Sequence, residues 1–496
     1  MHNSHAASFY IKTNRSFSPI RSYAWILTVL IGIGGQFLPR LGLLVPLIML
    51  ALMVMSLFRG KYWCGNFCPH GSFFDNLLQP LSRNARIPGF MRSKVLIAAF
   101  LLFFMYNLGR RFIHVFEALG GAEFYDRMGL VFSTTYLMVL LAGGLLAITI
   151  NARTWCQFCP MGTFQTLFYK LGKALGLNKN TDLKVTIAHP DLCHSCGKCA
   201  RVCPMQLKPY REFKESSQFS DENCIRCNTC VNNCPADALQ LATLAKTENI
   251  HANANLAGFK DASFYRAVVK KINHLNDNVR EYTFKLVEPQ KMDFDPGQFV
   301  LVETEPQIEM YRAYTISGSS GDHSEISVTV KLLNDGYGTN LLFNNLAEGT
   351  EVKLKGPLGN ELRADPEGKE LLFLANGIGI TPFVSIVQSF FEQKDNGFNG
   401  KITLLYGARY EEDLVYDDYL TGTAEANENF SYYSLLSRPH TDQYSKGYVT
   451  DLLKELNPPD YTRVYICGTA EMATDARDIL EHKGVHEDNI FYECFL

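Results

Sequence analysis

A chain of 496 residues is too long for one core and points to about three domains. Its net charge of -3 gives no electrostatic footprint for nucleic acid. Of its 14 cysteines, all but Cys467 and Cys494 fall into short-spaced sets, which argues for metal ligation in a reducing compartment and against a secreted disulfide scaffold.

Hydropathy is segregated along the chain, with long uncharged runs crowded into the first 150 residues. The opening 22 residues are polar and basic, with Lys12, Arg15 and Arg21 and no acid. Four apolar runs follow: Tyr23 to Leu38, Leu41 to Phe58, Val95 to Gly109 and Leu130 to Ile150. No small-residue cleavage site follows the first run, so it reads as a retained span and not a signal peptide. The third run is short for a span, and a buried or interfacial helix is its alternative reading. Lysine and arginine concentrate in the amino tail, in the Arg59 to Lys94 loop and after residue 151. That bias predicts four spans with both chain ends on the cytoplasmic side.

An internal repeat supports this topology. Trp63-Cys64-x3-Cys68-Pro69-x-Gly71-Ser72-Phe73 follows the second run, and Trp155-Cys156-x2-Cys159-Pro160-x-Gly162-Thr163-Phe164 follows the fourth. Each block sits just past an outgoing span, so the two are expected side by side at one membrane surface. Their four thiolates suffice for a third iron–sulfur centre on Cys64, Cys68, Cys156 and Cys159. A structural zinc site or reduced structural thiols are the alternatives. Near the membrane, His70 and His114 do not form a facing pair that would hold haem.

The next stretch carries one pattern twice: Cys193-x2-Cys196-x2-Cys199-x3-Cys203-Pro204 and Cys224-x2-Cys227-x2-Cys230-x3-Cys234-Pro235. This is the run that holds two [4Fe–4S] cubes, the fourth cysteine of each ligating the other cluster. Cys193, Cys196 and Cys199 therefore pair with Cys234, and Cys224, Cys227 and Cys230 with Cys203. Eight cysteines with both trailing prolines disfavour a zinc ribbon. The stretch closely resembles the two-cluster ferredoxin family. Together with four spans and two CP motifs it resembles, from about residue 20 to 240, the polyferredoxin-type quinol dehydrogenase subunits of periplasmic nitrate reductase systems. It also resembles the membrane part of nitrous-oxide reductase regulators. The resemblance implies electron exchange with a membrane quinone or with a partner across the bilayer.

After a linker the texture changes to alternating strands. Arg312-Ala-Tyr314-Thr315-Ile316-Ser317 places an arginine, an aromatic and a hydroxyl on one strand, where the guanidinium can pair with a pyrophosphate as a fork. Gly336-Tyr-Gly338-Thr339 offers backbone N–H groups at a helix start, where phosphate binds well. Gly356-Pro357-Leu358-Gly359 closes a barrel. The apolar strand Leu371 to Leu374 then runs into Gly377-Ile-Gly379-Ile-Thr381-Pro382, a strand–loop–helix start suited to a nicotinamide dinucleotide. Cys467-Gly468 and the ending Glu493-Cys-Phe495-Leu496 complete a set that is similar, in motifs and order, to the ferredoxin–NADP reductase superfamily. That resemblance implies FAD contacts from Arg312, Tyr314, Thr315, Ile316, Gly338 and Thr339. It implies a nicotinamide side lined by Gly377, Gly379, Thr381 and Gly468, with Thr315, Cys467, Glu493 and Phe495 at the reacting centre, Phe495 covering the flavin ring until nicotinamide displaces it.

The expected architecture is multidomain: an α-helical membrane bundle over residues 1–180, a small α+β bacterial-type 2[4Fe–4S] ferredoxin over 181–240 and a linker over 241–261. An antiparallel β-barrel FAD domain over 262–365 and an α/β NAD(P)-binding domain over 366–496 complete it. The expected function is electron transfer from NAD(P)H through FAD and [4Fe–4S] clusters to a membrane quinone or membrane-associated acceptor, at a bacterial inner membrane with the redox domains cytoplasmic. A reductase component feeding a separate oxygenase, desaturase or periplasmic reductase is the first alternative, and a redox-sensing regulator the second.

Overall fold

Long apolar runs with few breakers resolve as helices, which satisfy their own backbone hydrogen bonds. The computed structural model describes residues 9–12, 15–117, 119, 121, 123–334, 336–364, 370–392, 398–457 and 461–495. The chain divides into two compact units, one of residues 8–193 and 197–254 and the other chiefly of residues 255–496.

In the first unit, three helices among the described residues are long and apolar enough to cross a membrane by length and composition: Pro39–Arg59, Lys94–Phe116 and Phe124–Thr149. The second corrects the expectation of a short run. It spans 23 residues, starting at a Ser93 cap that accepts the Leu96 N–H at 3.2 Å and continuing through Arg110 and Arg111. Arginine is a good helix former, so the charges did not end the helix.

The run expected as the first span is helical but broken. Trp25–Val29 is α-helical, Leu30–Gly34 is a π turn, and Gly35–Phe37 resumes the α-helix. The segment is closely packed just past the π turn: a Cβ on Gly35 would lie 2.1 Å from Ser133 Oγ. Its later part, Leu30–Phe37, packs along the Phe124–Thr149 helix, where a Cβ on Gly32 would lie 3.6 Å from the Leu137 nitrogen, while Trp25–Val29 packs on the Pro69–Phe73 helix. Trp25 N–H donates to Ser72 Oγ at 3.0 Å beside the first CP motif, and Arg40 Nε donates to Asp126 Oδ1 at 2.9 Å at the far end.

Beyond the helices, strands β1 (Lys184–Ile187) and β2 (Leu239–Ala242) pair antiparallel, with Val185 opposite Leu241. Between them lie the two cysteine runs. The second repeats the first 31 positions later in backbone as well as sequence: left-handed Ser195, Gly197 and Gln206 recur as left-handed Arg226, Asn228 and Asp237.

The second unit opens with six strands, β3 (Ser263–Asn276), β4 (Val279–Glu288), β5 (Phe299–Glu305), β6 (Met310–Ser319), β7 (Glu325–Lys331) and β8 (Glu351–Leu358). They close an antiparallel barrel in the order β3-β4-β7-β6-β5-β8 around Tyr282, Phe284, Val300, Ile316, Val328 and Leu354. Burial alternates along β8, with Val352, Leu354, Gly356 and Leu358 inward, as a strand with one face on a core requires.

Next come β9 (Glu370–Asn376), β10 (Lys401–Ala408), β11 (Phe430–Leu436), β12 (Ser445–Lys446), β13 (Arg463–Thr469) and β14 (Ile490–Phe495). They form a parallel sheet in the order β12-β11-β10-β9-β13-β14. Leu371 to Ala375 are fully buried, because helices on both faces make a central parallel strand uniformly apolar. Phe373 stacks on Phe383 of the Thr381–Glu392 helix with ring centroids 4.8 Å apart. Burial of a side chain of this size contributes about 1.5–3 kcal/mol.

Candidate redox sites

The two CP motifs meet. Pro69 and Pro160 each sit at the first position of a helix, where a missing N–H costs nothing, so each preceding cysteine stands at a helix entrance. Cys64, Cys68, Cys156 and Cys159 line one cavity. Gly71 N–H donates to Cys68 Sγ at 3.4 Å, and Gln165 Nε2 donates to Cys64 Sγ at 3.0 Å. Arg153 Nη1 donates to Cys156 Sγ at 3.4 Å. Burial and then the neighbouring thiols push Cys68 well up and Cys159 to about 12. Four crowded, half-buried thiols around one cavity are thiolates only against a cation, and this donor set fits an iron–sulfur centre.

Sequence reading missed the polar groups around these sulfurs. The Arg153 guanidinium is fully buried and grips Asp75 as a fork, Nε to Oδ1 at 3.1 Å and Nη2 to Oδ2 at 2.6 Å. Asp75 also pairs with buried Arg21, and the Arg21 guanidinium donates to the Gly65 carbonyl. Lys61, also buried, lines the same cavity and donates to Asn223 Oδ1 at 2.8 Å. A signal was present: a basic residue stands two places before the tryptophan of each motif.

His70 also lines the cavity, its ring 4.3 Å from that of Tyr136, and burial pushes its imidazole down to about 4. His114 sits exposed at the far end of its helix beside Glu117. The structure thus keeps the two histidines apart.

The second cysteine run packs directly on the first CP motif. A Cβ on Gly65 would lie 1.9 Å from the Ile225 carbonyl oxygen, and Asn66 Nδ2 donates to the Arg226 carbonyl at 3.3 Å. Arg226 Nη2 pairs with Asp182 at 2.7 Å, and its Nε and Nη1 bond the Leu183 and Cys224 carbonyls. Burial pushes the thiols of Cys203 and Cys224 up to about 11 and 12.

In the second unit, β6 carries Arg312, Tyr314, Thr315 and Ile316. Arg312 lies over the start of the Tyr337–Asn345 helix: a Cβ on Gly338 would come within 2.6 Å of its Nε. Only glycine admits the guanidinium there, which sets a cation beside helix N–H groups, the chemistry of a pyrophosphate cradle. Thr339 is used locally, accepting the Leu333 N–H at 3.3 Å and donating to the Gly336 carbonyl at 3.2 Å. Thr315 is buried opposite Phe299 of β5. Gln298 ties this face to the loop after β8, donating to the Gly359 carbonyl at 3.0 Å.

The carboxyl ends of β9, β13 and β14 meet in register, placing Cys467 between Ala375 and Glu493. Ligands of open α/β sheets bind at such strand ends. Gly377 takes a φ of +53°, and a Cβ on Gly379 would lie 2.2 Å from the Cys467 carbonyl oxygen. Thr381, buried, starts the helix and bonds the Ile378 carbonyl at 3.1 Å. Asn376 braces the neighbouring strand end, accepting the Thr469 N–H at 2.9 Å, with Gly468 pressed against it. Glu493 Oε1 reaches to 3.9 Å of the point where a Cβ on Gly359 would sit, so the end of β14 meets the barrel. Burial, then the Glu361 carboxylate, raise Glu493 to about 7. Phe495 ends β14 opposite Thr469, and its side chain lies outside the described residues.

Family comparisons match domains in both units. Residues 266–361 match the oxidoreductase FAD-binding domain and residues 373–478 the oxidoreductase NAD-binding domain. Residues 186–243 match a 4Fe-4S dicluster domain, and residues 41–88 with 134–178 match a 4Fe-4S binding domain. The chain belongs to the ferredoxin–NADP reductase superfamily, joined here to 4Fe–4S ferredoxin domains, and is an NAD(P)H-dependent FAD/iron–sulfur oxidoreductase.

Among its relatives is the toluate 1,2-dioxygenase electron transfer component of Pseudomonas putida, 30% identical over 233 residues, 47% of this chain and 67% of that protein. The glycine betaine monooxygenase reductase subunit of Pseudomonas aeruginosa is 31% identical over 224 residues, 44% of this chain and 60% of that protein. The phenol 2-monooxygenase reductase component of a Pseudomonas species is 27% identical over 304 residues, covering 60% and 84% respectively.

Proposed function

We propose that this chain is a membrane-anchored reductase component that draws electrons from NAD(P)H and delivers them, one at a time, to an acceptor protein outside the chain. The named relatives are electron-transfer or reductase components of oxygenase systems, which favours a protein acceptor over the quinone expected first. FAD supplies the exchange between a hydride pair and single electrons, and iron–sulfur clusters carry the single electrons. Arg312 and the helix start at Gly338 would hold the FAD pyrophosphate. Tyr314, Thr315 and Ile316 would hold the ring, and Gly377, Gly379, Thr381 and Gly468 the nicotinamide nucleotide. Cys467 and Glu493 would shape the place where nicotinamide meets flavin, with Phe495 as its cover. The eight cysteines from Cys193 to Cys234 would hold two cubes, and the CP cysteines a third centre.

The observation that carries this reading is the approach of Gly65 to Ile225. It sets the CP thiols against the second cysteine run within one unit, as a relay leading out of the ferredoxin requires. The three apolar helices support an inner-membrane location. Both CP motifs and the basic loops would then face the cytoplasm.

A second reading keeps the lipid quinone as acceptor. It is favoured by the cavity at the CP thiols, whose other walls are Ile48, Met49, Phe104, Leu108 and Phe132 of the apolar helices. The test is NAD(P)H oxidation by the purified chain in proteoliposomes, with a quinone analogue or with a one-electron acceptor protein, iron and flavin being quantified. Protein reduction without quinone reduction supports the main reading, and turnover with quinone alone replaces it.

A further inference from the structure

The CP repeat extends two residues further upstream than its cysteines. Lys61 and Arg153 each stand two places before the tryptophan of their motif, and both are buried side chains on the wall of the four-thiol cavity. Burying a cation is costly unless it is paired. Arg153 is paired, but not to neutrality, because its Asp75 partner is shared with Arg21: two guanidiniums face one carboxylate. Lys61 has a neutral partner, the amide of Asn223. The triad therefore carries one positive charge beside the thiols, and Lys61 adds a second that the Asp221 carboxylate offsets only in part.

The placement of Arg153 is built. Its Nη1 is 3.4 Å from Cys156 Sγ, and a Cβ on Gly71 would come within 2.7 Å of the same nitrogen. The glycine of the first CP motif thus leaves the room that the guanidinium of the second occupies. Gln165 adds a dipole: fully buried, it gives its Nε2 hydrogen to Cys64 Sγ at 3.0 Å while its Oε1 has no hydrogen-bond partner. An amide oriented in this way against its own hydrogen-bonding balance is one held for the sulfur.

We propose that Lys61 and Arg153, with Gln165, are potential-setting residues that raise the reduction potential of the iron–sulfur centre held by Cys64, Cys68, Cys156 and Cys159. Taking up one electron adds one negative charge to that site. Fixed cations and N–H donors at the sulfurs stabilise the more negative form, so the electron released by the neighbouring ferredoxin cube is drawn outward. No proton is needed for the balance: one site loses the electron and the other gains it. The inference rests on the third-centre reading made above.

The test is redox potentiometry of the full-length holoprotein followed by EPR, with iron per chain measured on the same samples. Lys61→Met and Arg153→Met are compared with the charge-keeping Lys61→Arg and Arg153→Lys, and Gln165→Leu with the native chain. Arg153→Met leaves Arg21 and Asp75 as a neutral pair. Each Met variant should lower the oxidised-to-reduced midpoint by about tenfold in ratio, 59 mV for one electron. The charge-keeping variants should hold it near the native value, and the ferredoxin cubes should move less. Should both Met variants lose the centre while both charge-keeping variants retain it, the charge requirement still stands. An unmoved midpoint in Lys61→Met and Gln165→Leu with full iron overturns the proposal, as does loss of the centre in charge-keeping and Met variants alike. Absence of a third EPR signal in the native protein sinks the third-centre reading itself, a different failure.

Discussion

Gly65 and Ile225 meet backbone to backbone, with room for no Cβ between them: one placed on Gly65 would lie 1.9 Å from the Ile225 carbonyl oxygen. The first belongs to a CP motif and the second to the second cysteine run, so this approach fixes the spacing of two candidate redox centres. Gly65→Ala should force the backbones apart at a cost of about 1–3 kcal/mol, as overpacking does. Anaerobic stopped-flow absorption should show native flavin bleaching and slowed reduction of the CP centre. An unchanged final phase would mean that the electron path does not pass this junction.

Arg312 and Gly338 make the matching arrangement in the barrel. Charge-assisted hydrogen bonds are worth about 1.5–3 kcal/mol each, so Arg312→Leu should weaken FAD retention by about ten- to a hundredfold. Fluorescence of flavin released on gel filtration measures this. Gly338→Ala should behave alike, because it displaces the guanidinium from the helix start.

Glu493 holds its proton to about pH 7, raised from 4.5 first by burial and then by Glu361. Between those values the folded state binds more protons than the unfolded one. Its contribution to stability is therefore largest in acid, falls as pH rises through the window, and is level above it. Glu493→Gln should flatten this slope in melting temperatures taken from about pH 4 to 8. A slope that persists in the variant assigns it to other groups.

The double variant Cys68→Ala, Cys159→Ala should lose the iron of one centre in three, about a third of the total, and one EPR signal. Zinc in the native protein at the level of one per chain would replace the iron–sulfur reading of this site with a structural one.

Much of this was legible in the sequence because cofactor-holding residues sit at fixed spacings. The duplicated run from Cys193 to Cys234 was readable as residues, and its backbone repeats in the left-handed Ser195 and Arg226. The strand–loop–helix from Leu371 to Thr381 was readable for the same reason. Packing, by contrast, was not local and could not be read. Nothing in Tyr23 to Leu38 announces the π turn, nor the close approach of Gly35 to Ser133, 98 positions away. Arg21 and Arg153 entered the sequence reading only through the Lys/Arg bias, since only the fold brings them to Asp75. The arginines at 110 and 111 read as a helix end, because charge suggests a membrane boundary while helix propensity favours continuation.

The central claim is that nicotinamide, flavin and iron–sulfur chemistry are linked in series within this one chain. Anaerobic addition of NADH or NADPH to the reconstituted, flavin- and iron-replete protein tests it most directly, with flavin and iron–sulfur absorption followed together. Flavin bleaching followed by bleaching of the iron–sulfur bands in the same molecules, at a rate independent of protein concentration, is the predicted result. Bleaching that stops at the flavin, or that spreads only in proportion to protein concentration, would contradict it.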